Sequence, residues 1–185
     1  MKLFYKGRRY FSFIIFLGIA LAVPIFSYAI DVPINTTAHV YFSPGGGCTQ
    51  VIISEIDKAK SEILVQAYSF TSAPIAKALL SAHKRGVKVT AILDKSNKTA
   101  RYSSATFLFN ANIPVFIDSA HAIAHNKIII LDRETVITGS FNFTKAAEEK
   151  NAENLLILRS KKLAGEYFKN WEKHKGHSTE YGGKF

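Results

Sequence analysis

Chemically versatile side chains are concentrated between residues 125 and 153 of this 185-residue chain. The segment opens with His125 and Lys127, which point to the same side if they belong to one β-strand. A histidine and a lysine that share a strand face are costly to bury unless they surround an anion. A neutral imidazole can attack phosphorus, and a neighbouring ammonium can stabilise a phosphoryl oxygen as charge develops. The pair therefore predicts phosphoryl chemistry.

Three polar residues further along could complete such a site. Ser140 and Asn142 share a face if a strand continues through them, and both can donate hydrogen bonds to phosphate oxygens. Glu153 can accept a hydrogen bond from His125, which would fix the tautomer and leave the other ring nitrogen free to attack. Taken singly, these residues also fit ordinary roles as a solvated strand end, a turn residue or a surface charge. Only their combination favours a catalytic site.

The order and spacing of these residues resemble a known signature. His125, Lys127 and Asp132, followed by Gly139-Ser140 and Asn142, look like the HKD motif of the phospholipase D superfamily. Four flanking segments are similar to the small bacterial periplasmic endonucleases that have one HKD motif per chain: FSP at 42–44, QAYSFT at 66–71, RGV at 85–87 and GSFNFTK at 139–145. The resemblance extends over residues 39–174.

The resemblance implies a role for each basic and polar residue of the motif. His125 is expected to attack phosphorus and become a phosphohistidine. Lys127 is expected to bind the substrate phosphate, with Ser140 and Asn142 in the same anion pocket. These four positions therefore constitute the predicted nucleophile and phosphate-binding groups.

The two acidic residues of the pattern have different expected roles. Glu153 corresponds to the carboxylate that orients the histidine. Asp132 is the acid of the motif and is counted among the catalytic residues, although in the family it mainly braces the structure around the site. No metal ion or other cofactor is expected, because lysines would stabilise the charge and the sequence has no cluster of carboxylates for magnesium.

A single HKD motif implies that this chain supplies half of a site. Superfamily members with two motifs build one site from both, and other histidines here, such as His83 and His121, lack a lysine two positions later. The resemblance therefore implies a two-fold homodimer with the two motifs at the interface. One His125 would attack, and its symmetry mate would protonate the leaving oxygen and then activate water.

The elements that must position these residues follow an α/β pattern. We predict a mixed, largely parallel central sheet flanked by helices on both faces, as in phospholipase D-like nucleases. The predicted strands lie at 39–42, 63–68, 87–93, 113–117, 127–131, 135–138 and 155–158, with a hairpin turn at 132–134. The predicted helices lie at 50–60, 75–83, 105–112 and 161–174, and residues 176–185 are expected to form a loose tail.

The first 29 residues have the pattern of a secretory signal peptide. Four basic residues precede an apolar run over 11–23, and Ser27 and Ala29 occupy the small-residue positions of a cleavage site after Ala29. An uncleaved membrane anchor is the alternative. Cleavage predicts a periplasmic or secreted protein with a single domain at 30–185, and it reduces the net charge from +10 to +6. This positive charge favours a polyanionic partner, either nucleic acid or an anionic membrane.

Three further features have less specific interpretations. Cys48 is the only cysteine, which excludes an intrachain disulfide and favours burial over pairing with another chain. The glycine run at 45–47 lacks the spacing of phosphate-binding loops and indicates backbone angles that need glycine. Residues 94–104 include Lys95, Lys98 and Arg101 and form either a phosphate-contacting loop or a solvated one.

Three functions remain compatible with the sequence. The first is a nuclease that cleaves DNA, with RNA as a further substrate, and without sequence specificity, since helix-turn-helix and zinc-finger patterns are missing. A phospholipase D would use the same chemistry, but the mature chain has no added lipid-binding amphipathic segment. A nucleic-acid-binding protein with an inactive site is disfavoured by the complete motif.

Overall fold

A computed structural model describes residues 29, 31, 36–99 and 103–183. Eight strands and five α-helices, together with one 3₁₀ helix, account for the regular structure of that part of the chain. In chain order they are β1 Thr37–Ser43, α1 Cys48–Lys58, β2 Glu62–Ala67, α2 Ala73–Lys84, β3 Lys88–Asp94, the 3₁₀ helix Lys95–Lys98, α3 Ser104–Asn110, β4 Val115–Asp118, β5 Lys127–Leu131, β6 Thr135–Gly139, α4 Lys145–Glu149, β7 Glu153–Arg159, α5 Lys161–His177 and β8 Thr179–Glu180.

The strands form one mixed sheet in the order β1-β7-β6-β5-β2-β3-β4-β8. Parallel pairing is confined to β2, β3 and β4, which α2 and α3 connect as crossovers. All other pairs of these strands are antiparallel. The predicted mixed α/β sheet is confirmed, but its parallel share is smaller than expected, because β5, β6 and β7 follow one another without long crossover helices.

Helices cover both faces of the sheet, as predicted. Alternate residues of β2 point to opposite sides, so Ile63 and Val65 join the core beneath α1, α2 and α3, whereas Leu64 faces α5. Trp171 of α5 is 2% exposed and donates a hydrogen bond from its indole Nε1 to the carbonyl oxygen of Val65 at 3.0 Å. The buried α5 face thereby fixes the helix over the centre of the sheet.

The predicted hairpin joins β5 to β6. Asp132 and Arg133 have positive φ angles of 50° and 55°, and the N–H of Glu134 donates to the carbonyl of Leu131 at 3.0 Å. These features define a type I′ turn, which matches the twist of the flanking strands. Aspartate tolerates a left-handed backbone better than most residues, so the turn forms without glycine.

The C-terminal tail differs from its prediction. Helix α5 continues to His177, and the following residues form β8, which pairs antiparallel with β4. Tyr181 is 2% exposed, and its hydroxyl lies 2.8 Å from the Thr106 hydroxyl. The polar, glycine-bearing composition suggested a loose segment, whereas pairing with an open sheet edge and burial of one aromatic ring order it. The short helix α4 also had no predicted counterpart.

Several predictions concern residues that lie outside the described ones. The predicted signal peptide, its alternative as an anchor and the cleavage after Ala29 depend on residues 1–28, and Arg101 of the basic loop lies in the gap at 100–102. Within the described ranges, no helix has the length and apolar composition needed to cross a membrane. Cys48 is fully buried at the start of α1, as predicted. Gly45 and Gly47 have φ angles of 88° and 70°, which explains the glycine run.

Candidate active site

The sheet register brings most of the predicted site residues to one end of neighbouring strands. Lys127 begins β5 and lies opposite Ala67, the last residue of β2. Glu153 begins β7 and lies opposite Ser43, the last residue of β1. Strand β6, between β5 and β7, ends at Gly139 on this same side. The strands β1, β2, β5, β6 and β7 therefore all begin or end at the same end of the sheet.

His125 and Lys127 converge on the ring of Tyr68. The imidazole of His125 is exposed, and its centroid lies 4.7 Å from that of Tyr68. The ammonium of Lys127 lies 5.1 Å from the same centroid and donates to the carbonyl oxygen of His125 at 2.8 Å. The structure therefore brings together an accessible nitrogen nucleophile and a cation, as the sequence predicts.

Lys127 is a buried cation without an ion-pair partner among the described residues. The residue is 6% exposed, and burial lowers the pKa of its ammonium, although the negative charge of Glu153 partly opposes this effect. One of the three N–H groups donates to the His125 carbonyl. Two donors remain for an anion, which would also offset the cost of burying the charge.

Glu153 contacts different residues from those predicted. Its carboxylate accepts hydrogen bonds from Ser140 Oγ at 2.6 Å and from Asn151 Nδ2 at 3.0 Å, and it makes no hydrogen bond to the His125 ring within the chain. Ser140 Oγ also accepts the N–H of Asn154 at 3.0 Å. The hydroxyl proton of Ser140 is thus used in positioning Glu153, and the phosphate contact predicted for Ser140 stays a prediction.

Gly139 explains why Ser140 does not continue the strand. Its φ angle of 143° is rarely adopted by residues with a side chain, and a Cβ at this position would collide with the backbone oxygen of Asn154. The N–H of Ser140 instead donates to that oxygen at 3.1 Å. Alternation of side chains therefore ends at Gly139, and the predicted shared face of Ser140 and Asn142 does not form.

Asn142 is held between two buried aromatic residues. Phe141 and Phe143 are both fully buried, and the carbonyl oxygen of Phe143 accepts the N–H groups of Thr71 and Ser72 at 3.0 and 2.9 Å. The Oδ1 atom of Asn142 is buried and lacks a hydrogen-bond partner among the described residues. A phosphate contact would use the Nδ2 donor of this amide rather than Oδ1, so the phosphate contact predicted for Asn142 stays a prediction.

Asp132 lies away from these residues, at the opposite end of β5 from Lys127. Its carboxylate accepts the N–H groups of Lys60, Ser61 and Glu62 at 2.9, 2.8 and 3.0 Å, and the Ser61 hydroxyl at 2.7 Å. The Asp132 carboxylate already accepts four hydrogen bonds and lies at the far end of β5, so within this chain it cannot reach His125 or Lys127. We therefore propose a structural role for Asp132, in line with the bracing role that the resemblance implies.

Two contributors to the site have no predicted role. Tyr68 contacts both His125 and Lys127, and Asn151 holds the carboxylate of Glu153. Tyr68 lies within the QAYSFT segment that resembles the single-motif endonucleases, so that segment was the available signal. Asn151 lies in the turn between α4 and β7, and its spacing from Glu153 did not indicate that the two side chains form a hydrogen bond.

The comparisons with known proteins agree with this geometry. The family described as "Cardiolipin synthase, PLD-like domain" matches residues 52–175. A protein named phospholipase D from Rickettsia felis is 46% identical over 144 residues, which cover 78% of this chain and 72% of that protein. Among solved structures, the phospholipase D family member Nuc from Salmonella typhimurium has a TM-score of 0.76 and 42% identity, covering 79% of this chain and 98% of Nuc.

A second solved structure extends the similarity. NucT from Helicobacter pylori has a TM-score of 0.74 and 25% identity, and the match covers 79% of this chain and 99% of NucT. The predicted resemblance and fold class are therefore both confirmed. The chain belongs to the phospholipase D superfamily and is a phosphodiesterase of that group.

Proposed function

We propose that this protein is a metal-independent, non-specific endonuclease that cleaves DNA, and RNA as a second substrate, through a phosphohistidine intermediate at a homodimer interface. The observation that carries the proposal is the buried ammonium of Lys127, which has two unused N–H groups next to the exposed ring of His125. A phosphodiester supplies the anion that such a pair lacks.

The proposed chemistry assigns one step to each group. A ring nitrogen of His125 attacks phosphorus, while Lys127 and the Asn142 amide hold the non-bridging oxygens. Glu153 accepts a hydrogen bond from the N–H of the other His125 ring nitrogen when the two subunits meet, and Ser140 and Asn151 keep its carboxylate in place. Lysine supplies the positive charge, and the site offers a single carboxylate, so the mechanism needs no divalent cation.

A second copy of the chain is the proposed source of the missing half-site. Leaving-group protonation needs a second acid, and the described site of one chain contains one histidine. The outer strand β1 exposes Val40 by 53% and Phe42 by 62%, and Ile123, in the loop before His125, is 57% exposed. These apolar side chains near the site are suited to burial against the equivalent surface of a symmetry-related copy.

Charge favours a nucleic acid over a small phosphodiester. The chain carries 24 basic and 14 acidic residues. Lys95 and Lys98 are exposed and follow the carboxyl end of β3 directly. This is the same end of the sheet at which Lys127 lies. Ammonium groups along this edge can bind successive phosphates of a polymer without reading its bases.

The central experiment is plasmid cleavage by residues 30–185 in excess EDTA. We expect nicking and then fragmentation by the wild type, and loss of at least about 1,000-fold in rate for His125→Asn, because the nucleophile is removed. His83→Asn, on α2, is the matched control and should retain wild-type activity. Full plasmid protection in EDTA, or an active His125→Asn, would refute the proposed mechanism.

The homodimer is tested by a change at the exposed surface of β1. Phe42→Asp should dissociate the dimer in sedimentation velocity and abolish cleavage, because a buried charge opposes association. Phe107→Asp is the control, since Phe107 is an exposed aromatic residue on α3. A monomeric wild-type protein with full activity would contradict the shared site.

A phospholipase D is the second candidate function, because the Rickettsia relative bears that name. The same histidine and lysine could act on a phosphatidyl head group. Release of choline from phosphatidylcholine vesicles, measured beside plasmid cleavage with the same preparation, separates the two substrates. Choline release without DNA cleavage would favour the phospholipase.

We place this activity in the periplasm or outside the cell, on the strength of the leader pattern in residues 1–29. Export would separate a non-specific nuclease from the chromosome of its own cell. N-terminal sequencing of the exported protein should start at residue 30. A retained leader in the mature protein would favour the anchor.

A further inference from the structure

Four potential metal ligands converge outside the candidate active site. Asp118 ends β4, His121 follows in the next loop, and His174 and His177 lie one turn apart near the end of α5. One ligand atom from each residue can be chosen so that all four lie within 4.8 Å of one another. The cluster therefore joins the end of β4 and the loop that follows it to a helix that is distant in sequence.

The distances within the cluster are close to those of a zinc site. Oδ2 of Asp118 lies 3.2 Å from His121 Nδ1, 2.7 Å from His174 Nδ1 and 3.3 Å from His177 Nε2. Tetrahedral coordination with bonds of about 2.0–2.2 Å requires ligand separations of about 3.3–3.5 Å. Shifts of side chains alone would therefore bring the four atoms around one ion.

The surroundings hold the ligands in place and leave an approach for the ion. Asp118 is fully buried, and its other oxygen, Oδ1, accepts the N–H of Ala120 at 3.0 Å and lies 3.2 Å from His121 Nδ1, while Oδ2 lies near all three histidines. The side chain of His174 is 13% exposed, and that of His121 is 46% exposed. Supported inner ligands and one accessible ligand are the features expected of a metal-binding site.

We propose that Asp118, His121, His174 and His177 bind one Zn²⁺ ion with a structural role. Three imidazoles and one carboxylate fill a tetrahedral shell, so no position remains for a substrate. The site is also separate from the chemistry: β4 lies three strands from β5, which at the usual spacing is about 14 Å.

The proposed ion would restrain the loop between β4 and β5, which carries His125. His121 and His125 belong to the same connection between β4 and β5. Lys95 Nζ donates to the carbonyl of His121 at 3.0 Å, and the N–H of Ala124 donates to Asp94 Oδ2 at 2.8 Å. Zinc would add a bond from this loop to α5, and so would link the stability of the loop to that of the helix.

Metal analysis of the mature wild-type protein is the first test. We expect about one zinc per chain after dialysis, and Co²⁺ in its place should give the visible spectrum of tetrahedral coordination. His121→Ala and His177→Ala should each weaken zinc binding at least 100-fold, since loss of a mere supporting contact costs about 10–100-fold. His83→Ala should bind zinc like the wild type. Equal binding by wild type and the cluster variants would overturn the proposal.

Thermal unfolding of the wild type tests the structural role without any substitution. Zinc added to the metal-free protein should raise Tm, and the rise should grow with zinc concentration. Plasmid cleavage well below the lower Tm should proceed at the same initial rate with and without zinc. An unchanged Tm would overturn the proposed zinc site. A protein that binds zinc but does not cleave DNA would refute the proposed nuclease function without affecting the zinc proposal.

Discussion

The assignment of Asp132 as a structural residue makes a quantitative prediction. In Asp132→Asn the amide oxygen can retain the three hydrogen bonds that Oδ1 accepts, but the new NH₂ group faces the N–H of Lys60. In Asp132→Ala all four hydrogen bonds are lost, and alanine must adopt a φ angle of 50°. The two variants therefore remove graded parts of the same interaction.

The expected losses follow from these contacts. Asparagine loses one partly exposed hydrogen bond and gains a repulsive contact, which costs about 1–2 kcal/mol. Alanine loses all four hydrogen bonds, for about 2–4 kcal/mol after allowance for solvent exposure, and left-handed backbone strain adds about 1 kcal/mol. For a domain of this size each kcal/mol lowers Tm by roughly 2–4 °C, so we expect Tm to fall by roughly 2–8 °C in Asp132→Asn and by roughly 6–20 °C in Asp132→Ala.

The assay compares urea unfolding with plasmid cleavage at a temperature where both variants are folded. Stability should fall in the order wild type, Asp132→Asn, Asp132→Ala, while kcat stays within about twofold of the wild type. Asp57→Asn is the control, because Asp57 has a 56% exposed side chain. A stable but inactive Asp132→Asn would show that the carboxylate takes part in catalysis and would refute the structural assignment.

The same contact predicts a pH dependence of stability. Burial raises the pKa of Asp132, but hydrogen bonds from Glu62, Ser61 and Lys60 outweigh it and hold the pKa below the ordinary value of 3.8. The folded carboxylate therefore contributes stability that is fully present above pH 3.8 and is lost as the pH falls through the lowered pKa. The difference between wild type and Asp132→Asn should narrow in acid.

Three further predictions concern the site and the core. Because burial lowers the pKa of Lys127 in the free protein, cleavage activity should decline with an apparent pKa below 10.5 on the alkaline side, measured as a kcat/KM profile, which reports the free enzyme. Ser140→Ala should reduce kcat by roughly 10- to 100-fold through loss of the hydrogen bond that positions Glu153, with recovery in Ser140→Thr and no change in fold by circular dichroism. Trp171→Phe should lower the free energy of unfolding by about 1–3 kcal/mol in urea, because the carbonyl oxygen of Val65 loses its indole donor, and should leave kcat unchanged.

Regular patterns explain which parts of the fold could be predicted from the sequence. The β-branched runs that became β2 and β3, with the helical pattern between them, correctly predict a parallel crossover. Asp132-Arg133-Glu134 between two apolar runs correctly predicts the hairpin. These elements depend on residues that are close in sequence, so their own periodicity determines them.

Interactions between distant segments explain what the sequence did not reveal. The contact of Ser140 with Glu153 was not foreseen, because strand alternation was extended through Gly139, whose backbone turns the chain. The proposed zinc ligands Asp118 and His121 have one short spacing, and His174 and His177 have another. Only the packing of α5 near the end of β4 unites the two pairs, and no local pattern encodes that packing.

The pairing of β1 with β7 has a consequence for how the protein folds. The hydroxyl of Ser43 donates to the carbonyl oxygen of Asn151, a contact that spans 108 positions, and it sets the start of the strand that carries Glu153. Closing a loop of that length is entropically expensive, so this half of the sheet should assemble after the local β2–α2–β3 and hairpin units. Catalytic competence would then be the last property the chain acquires, and substitutions in β1 would accelerate unfolding more than they slow folding.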